Sequence, residues 1–193
     1  MENSSIRTQI IQLLKSTERE GMDNLIEFMD QNGFFTAPAS SKFHCCYPGG
    51  LAQHSMNVYN VLKNNVDMYH VDVGSDSVII CSLLHDICKI KDYKMVKKNR
   101  KIDGKWNEVM EQERQYDFFP AGHGSKSVIM IQKFIALDSN EILAIYWHMG
   151  PFTEGAADYS TETSKHYNEA NKKHPFIPML FISDMTATQI HER

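Results

Sequence analysis

The segment from Val78 to Ile90 is apolar on most faces, the pattern of a helix buried at the centre of a protein, yet it carries His85, Asp86 and Lys89. Burying adjacent ionisable groups costs several kcal/mol per charge unless something pairs with them. The chain must therefore fold so that other groups converge on this string. A divalent cation is a suitable partner, because it compensates the carboxylate and accepts an imidazole lone pair. Read as one continuous helix, the segment sends His85 and Asp86 out about 100° apart, towards one centre at different angles.

Other titratable residues also sit in apolar surroundings. His54 follows Tyr47-Pro48-Gly49-Gly50-Leu51, one turn into a helix; His123 stands at a helix start in Ala121-Gly122-His123-Gly124-Ser125; His148 closes Ile145-Tyr146-Trp147; and Asp184 lies within Leu180-Phe181-Ile182-Ser183 and Met185. Taken one at a time, each histidine reads more readily as a hydrogen-bonded core residue than as a ligand, and Asp184 as a buried tie between helices. Taken together, four histidines and two aspartates on separate segments form a candidate metal-ligand set.

The rest of the chain supplies the frame. Its 193 residues suit one domain, 1–193, and a composition of 42% hydrophobic and 23% charged residues excludes disorder and collagen-like repeats. Helical spacing marks Ile6-Ile10-Leu13-Leu14 and Met22-Leu25-Ile26-Met29, an N-terminal helical extension over 1–33 packed on the remainder. Residues 34–50 read as an ordered loop, 51–69 as a long helix and 78–90 as a central helix capped by Asp76 or Ser77. Helices are also expected over 125–137, 139–149, 161–172 and 175–190. Between them, Asp103-Gly104 marks a type I′ turn, so residues 93–115 form a β-hairpin inserted in an otherwise all-α helical bundle.

No apolar run approaches the roughly 20 residues of a membrane span, and Met1-Glu2-Asn3-Ser4-Ser5 lacks the basic start of a signal peptide. A cytoplasmic protein without a membrane partner is expected. Its net charge of −4 argues against a duplex-DNA binder. Residues 89–105 nevertheless hold eight basic side chains against Asp92 and Asp103. That stretch reads either as a phosphate-attracting patch or as a solvated hairpin face. Cys45, Cys46, Cys81 and Cys88 show neither a CxxC pair nor a disulfide framework, and are expected to be free thiols without a functional role. His70, His166, His174 and His191 have polar neighbours and read as surface residues, while Trp106, Tyr146 and Trp147 read as packing aromatics.

The order His54, His85-Asp86, His123, His148, Asp184 resembles the H…HD…D motif of the HD-domain superfamily of metal-dependent phosphohydrolases, with the two additional histidines of its binuclear members. Leu83-Leu84-His85-Asp86-Ile87-Cys88-Lys89 is similar to the family's LLHDIGK string, with Cys88 where glycine is common. Phe43-His44, Gly49 to His54 and Ala121 to Gly124 resemble small bacterial and phage HD hydrolases and the HD module of a manganese-dependent 3′–5′ exoribonuclease. The resemblance spans about residues 34–190. It implies that His54, His85, Asp86 and Asp184 hold one ion, and that Asp86 bridges to a second held by His123 and His148. It further implies Mn, Fe, Co, Ni or Mg as the metal and hydrolysis of a phosphate ester by a metal-activated water.

On this reading Asp86 and Lys89 are catalytic residues, and His44 and Lys126 bind substrate. Lys89 reads alternatively as a lysine reaching solvent, and His44 as a loop cap. Lys126 follows a helix start whose N–H groups favour anions. The expected substrate is a small phosphorylated molecule, a nucleotide or a short single-stranded oligonucleotide. About 45 residues precede the motif region, with no room for an OB barrel, which weakens a processive nuclease. The alternatives are a nucleotidase or (d)NTP phosphohydrolase and a non-catalytic nucleotide-binding module.

Overall fold

Apolar spacing along the chain resolves into eight helices and one hairpin among the described residues, which in this computed structural model are 2–90, 92–115, 122–153 and 161–192. The helices are α1 (Glu2–Ser16), α2 (Met22–Asn32), α3 (Gly50–Tyr69), α4 (Ser75–Leu84), α5 (His123–Ile131), α6 (Ser139–Tyr146), α7 (Glu162–Lys173) and α8 (Phe176–Thr186). Strands β1 (Tyr93–Ile102) and β2 (Lys105–Arg114) pair antiparallel between α4 and α5. The fold is thus mostly helical with an inserted hairpin, as the periodicities imply. No helix among the described residues is long and apolar enough to cross a membrane.

Helix α4 is buried along its whole face from Ser77 to Leu84 and packs against α3, which also lies along α8. Ile10, Leu14, Leu25 and Met29 of α1 and α2 join the same core as Leu51, Leu62, Ile80, Leu84, Ile131 and Leu180. Its N-terminus is flanked by Gly74 and makes no side-chain cap at Asp76 or Ser77. Ser77 is drawn elsewhere, its hydroxyl donating to the Glu141 carboxylate at 2.9 Å.

The helix also stops earlier than the sequence pattern implies. It ends at Leu84; His85 keeps helical angles, Asp86 turns away at φ −108° and ψ 19°, and residues Ile87–Lys89 form a single 3₁₀ turn. Apolar periodicity continues through the break because the turn is as buried as the helix. The break therefore corrects the continuous helix to Ile90. Across the break His85 Nε2 and Asp86 Oδ2 approach to 3.4 Å.

In the hairpin, Asp103 and Gly104 both take positive φ (49° and 81°), as a type I′ turn requires. Glutamates of β2 face the basic strand: Lys97 pairs with Glu108 at 2.8 Å, Lys98 with Glu113 at 3.1 Å and Arg100 with Glu111 at 2.6 Å. Exposed pairs of this kind contribute little stability, but they offset the positive charge counted along β1. The solvated-face reading fits this stretch better than a phosphate-attracting patch. Trp106 is 73% exposed near the hairpin tip and so does not pack in the core, whereas Trp147 is buried against Ile177. Tyr146 lies partly at the surface.

One buried ion pair ties the N-terminal helices to the rest. Glu141, wholly buried on α6, accepts two bonds from the Arg19 guanidinium (2.8 and 3.0 Å) as well as the Ser77 bond, and its carboxylate reaches back to the Asp138 N–H in a capping box. Removing one partner of a buried network leaves the others unsatisfied. Glu141→Ala is therefore expected to lower unfolding free energy by about 3 kcal/mol in urea titrations.

Candidate metal centre

Five elements bring ionisable side chains to one place. His54 sits one turn into α3, whose start is set by a close approach: a Cβ at Gly50 would lie 1.9 Å from the Cys45 carbonyl oxygen. The loop carrying His44 is thereby held against the helix carrying His54, and their rings stand 4.9 Å apart. His85 and Asp86 come from the break after α4. His123 opens α5, which crosses close to the end of α6, since a Cβ at Gly124 would lie 2.2 Å from the Tyr146 carbonyl oxygen. His148 follows α6 by two residues. Asp184 lies on α8, which is tied to α3 by Asn65 Nδ2 donating to Ser183 Oγ at 2.9 Å.

The orientation of three imidazoles follows from what their Nδ1 atoms meet. His85 Nδ1 donates to the Ser82 carbonyl (2.9 Å), His148 Nδ1 to the Ile145 carbonyl (2.7 Å), and His54 Nδ1 to the Glu192 carboxylate (3.1 and 3.2 Å). Carbonyls and carboxylates only accept, so each Nδ1 carries the proton and each Nε2 points inward. His54 Nε2 lies 3.3 Å from His85 Nε2, 3.3 Å from Asp184 Oδ1 and 3.6 Å from Asp86 Oδ2. Asp86 turns its other oxygen, Oδ1, towards His148 Nε2 at 3.6 Å and His123 Nδ1 at 3.7 Å. The two oxygens of one carboxylate thus face two groups of imidazoles.

This arrangement suits a cation. Two imidazole lone pairs 3.3 Å apart repel unless a positive charge lies between them. The chain alone meets this with a proton: burial works against the charge on His54, but Asp184 and Glu192 outweigh it and hold the imidazole up at about 9. Asp86 Oδ1 and His148 Nε2 are buried without a hydrogen-bond partner, which is costly for polar atoms. Potential donor atoms of His54, His85 and Asp86 lie within 4.8 Å of one another, as do those of His85, His148 and Asp184. A buried cluster of imidazoles and carboxylates with inward lone pairs can hold a divalent ion.

Lys89 is buried rather than reaching solvent, with Nζ 2.6 Å from Asp86 Oδ2. Burial opposes both charges, yet the ammonium keeps Asp86 well below the usual carboxylate range and the carboxylate holds Lys89 above the usual lysine value. His44 is half-buried and its Nε2 has no hydrogen-bond partner; burial, with the charges of His54 and Lys89, lowers it to about 4. Lys126 is held by a different carboxylate, Asp92, at 3.7 Å. His70, His166 and His191 are exposed; His174 is half-buried, its Nδ1 2.9 Å from Asn140 Oδ1.

Three residues escaped the sequence reading. Glu192 lies in a polar-looking stretch after a π-helical turn (Ala187–His191), yet its carboxylate is 1% exposed and bonded to His54 and to Asn57 Nδ2 at 2.8 Å. Asn57 lies one turn after His54, a spacing that carries no signal without its partner. Cys88 comes to lie 3.9 Å from His123 Nδ1, and burial with the Asp86 charge raises its thiol to about 12. All four cysteines are free.

A protein of Methanocaldococcus jannaschii named dihydroneopterin 2′,3′-cyclic phosphate phosphodiesterase is 34% identical over 101 residues, covering 50% of this chain. The match takes in 36% of that relative's length. No family model matches the chain, and no solved structure matches it significantly.

Glu192 gives the centre a measurable dependence. An imidazole oriented by a carboxylate binds metal 10- to 100-fold better than one without it, in round numbers. Glu192→Ala is expected to weaken Mn(II) or Co(II) binding by about that factor in chelator competition, with Glu192→Gln falling between.

Proposed function

We propose that the chain is a metal-dependent phosphohydrolase of the HD superfamily, acting on a phosphodiester of a small nucleotide-like molecule. The observation that carries this reading is the convergence of His54, His85 and His148 Nε2 atoms on the carboxylates of Asp86 and Asp184. The similarity to a cyclic phosphate phosphodiesterase supports the choice of a diester over a monoester.

On this reading, His54, His85, Asp86 and Asp184 hold one divalent ion, and Asp86, with His123 and His148, reaches a second. When bound, such ions lower the pKa of water and stabilise charge on phosphoryl oxygens. Hydrolysis adds water to phosphorus and breaks one P–O ester bond, and the leaving oxygen takes a proton. Lys89 keeps Asp86 ionised in a site that excludes water, so its contribution runs through the carboxylate it touches. His44, with an unpartnered Nε2 beside His54, hydrogen-bonds the phosphoryl group. Lys126 adds positive potential at the start of α5 while paired with Asp92. Three of the basic side chains of β1 are engaged by glutamates of β2, which speaks against the hairpin as a guide for long single strands and favours a nucleotide or similarly small substrate.

The test is hydrolysis of a 2′,3′-cyclic nucleotide, a generic phosphodiester and a generic phosphomonoester in the presence of Mn(II), with Asp86→Asn as control. Diester cleavage is expected, with kcat/KM falling at least about 1,000-fold in the variant, or about 4 kcal/mol of barrier. Cleavage of the monoester alone would make the protein a nucleotidase. Absence of Asp86-dependent turnover of all three would leave a nucleotide-binding module.

A further inference from the structure

We propose that Cys88 is a metal ligand, completing with Asp86 and His123 a sulfur–nitrogen–oxygen site for a thiophilic divalent ion such as Zn, Fe or Co. The inference rests on the reading of the centre as a metal site and alters which metal one of its positions takes.

The geometry carries it. The potential donor atoms of Asp86, Cys88 and His123 lie within 4.8 Å of one another. Cys88 Sγ is 3.9 Å from His123 Nδ1, which is itself 3.7 Å from Asp86 Oδ1. Bond lengths of about 2.0–2.3 Å at tetrahedral angles put neighbouring donors roughly 3.4–3.6 Å apart, so the Cys88–His123 and His123–Asp86 separations each need to close by only a few tenths of an ångström. Asp86 supplies the independent sign of a ligand: it is 2% exposed, and its Oδ1, the oxygen facing His123, has no hydrogen-bond partner.

Local structure explains how the thiol gets there. In a continuous helix Cys88 would project about 200° round from Asp86, on nearly the opposite face. With the helix broken at Asp86, the thiol instead lies among the donor atoms of Asp86 and His123, and the Cys88 N–H donates to Ser127 Oγ on α5 at 3.3 Å, which fixes the turn over Ile87–Lys89 against the helix that begins at His123. Cys81 shows the contrast. It is also buried, but it lies against the Glu141 carbonyl, away from His123, as an inert core thiol.

Cys88 thereby joins Asp86, His123 and His148, the residues assigned to the second ion, as a further protein donor to that position. A thiolate moves the preference of that position from Mg and Mn towards Zn, Fe and Co. On binding, the sulfur–metal bond forms as the S–H proton passes to buffer, with no change of oxidation state.

Cobalt(II) loading of the metal-free chain tests this without reference to activity, because a thiolate bound to cobalt gives a near-ultraviolet charge-transfer band that nitrogen and oxygen ligands do not. The band is expected in the wild type and in a Cys45→Ser, Cys46→Ser, Cys81→Ser triple variant, where Cys88 is the sole thiol. It is expected to vanish in Cys88→Ser, with the visible d–d bands retained and one cobalt ion bound at least about 10-fold more weakly in equilibrium dialysis. Cobalt bound by wild type and triple variant without the band, or a band surviving in Cys88→Ser, would overturn the assignment and leave the metal-centre reading standing. No cobalt bound at all would overturn both. Should Cys88→Ser fail to fold, the triple variant alone decides, since its band has no other source.

Discussion

A carboxylate with almost no access to water sits at the middle of this fold. Asp86 is surrounded by helices whose other buried residues are mostly leucine, isoleucine and valine. An ionised carboxylate cannot persist there unless positive charge and hydrogen-bond donors are brought to it. Lys89 from the same turn, His54 from α3, His123 at the start of α5 and His148 after α6 all approach it within 3.7 Å. Placing these groups requires α4 to stop at Leu84 and the chain to tighten into a 3₁₀ turn. Packing of α8 along α3, which itself lies against α4, then brings Asp184 and Glu192 to His54.

The imidazoles of the centre are held in place by the chain itself, in an arrangement that could hold a cation. Two of its imidazoles are oriented by backbone carbonyls of the turn that precedes them, Ser82 for His85 and Ile145 for His148. That local bond costs little to make, because helix ends leave carbonyls without intrahelical partners. His54 lies early in its helix and has no such carbonyl, so a carboxylate from the far end of the chain serves instead. All three devices expose an Nε2 lone pair to the same space, where mutual repulsion favours a proton or a metal ion. The two close glycine contacts, at Gly50 and Gly124, set the distances over which this works.

The hairpin stands apart from this economy. Its strands pair with each other, its turn has the geometry that Asp-Gly prefers, and three of its basic side chains are answered by glutamates across the strands. Lysines counted along β1 suggested an attraction for phosphate; their glutamate partners lie on β2, ten or more residues further on. Linear charge counts miss such compensation because antiparallel pairing, rather than sequence proximity, decides which charges meet.

Much of the protein was legible from its residues. Periodicity gave the helices, Asp103-Gly104 the hairpin, and ionisable groups in apolar segments marked His54, His85, Asp86, His148 and Asp184 as candidates, because burial of such groups demands a partner wherever it occurs. Periodicity could not show where α4 breaks, since apolar residues run unbroken through helix and 3₁₀ turn alike. Nor could it pair Lys89 with Asp86, or give Glu192 and Cys88 any part in the centre. One is a glutamate in a polar stretch and the other a cysteine in an apolar one, each with an ordinary alternative. Contacts across more than a hundred residues, and a turn that breaks a helix without breaking its apolar run, exist only once the helices have packed.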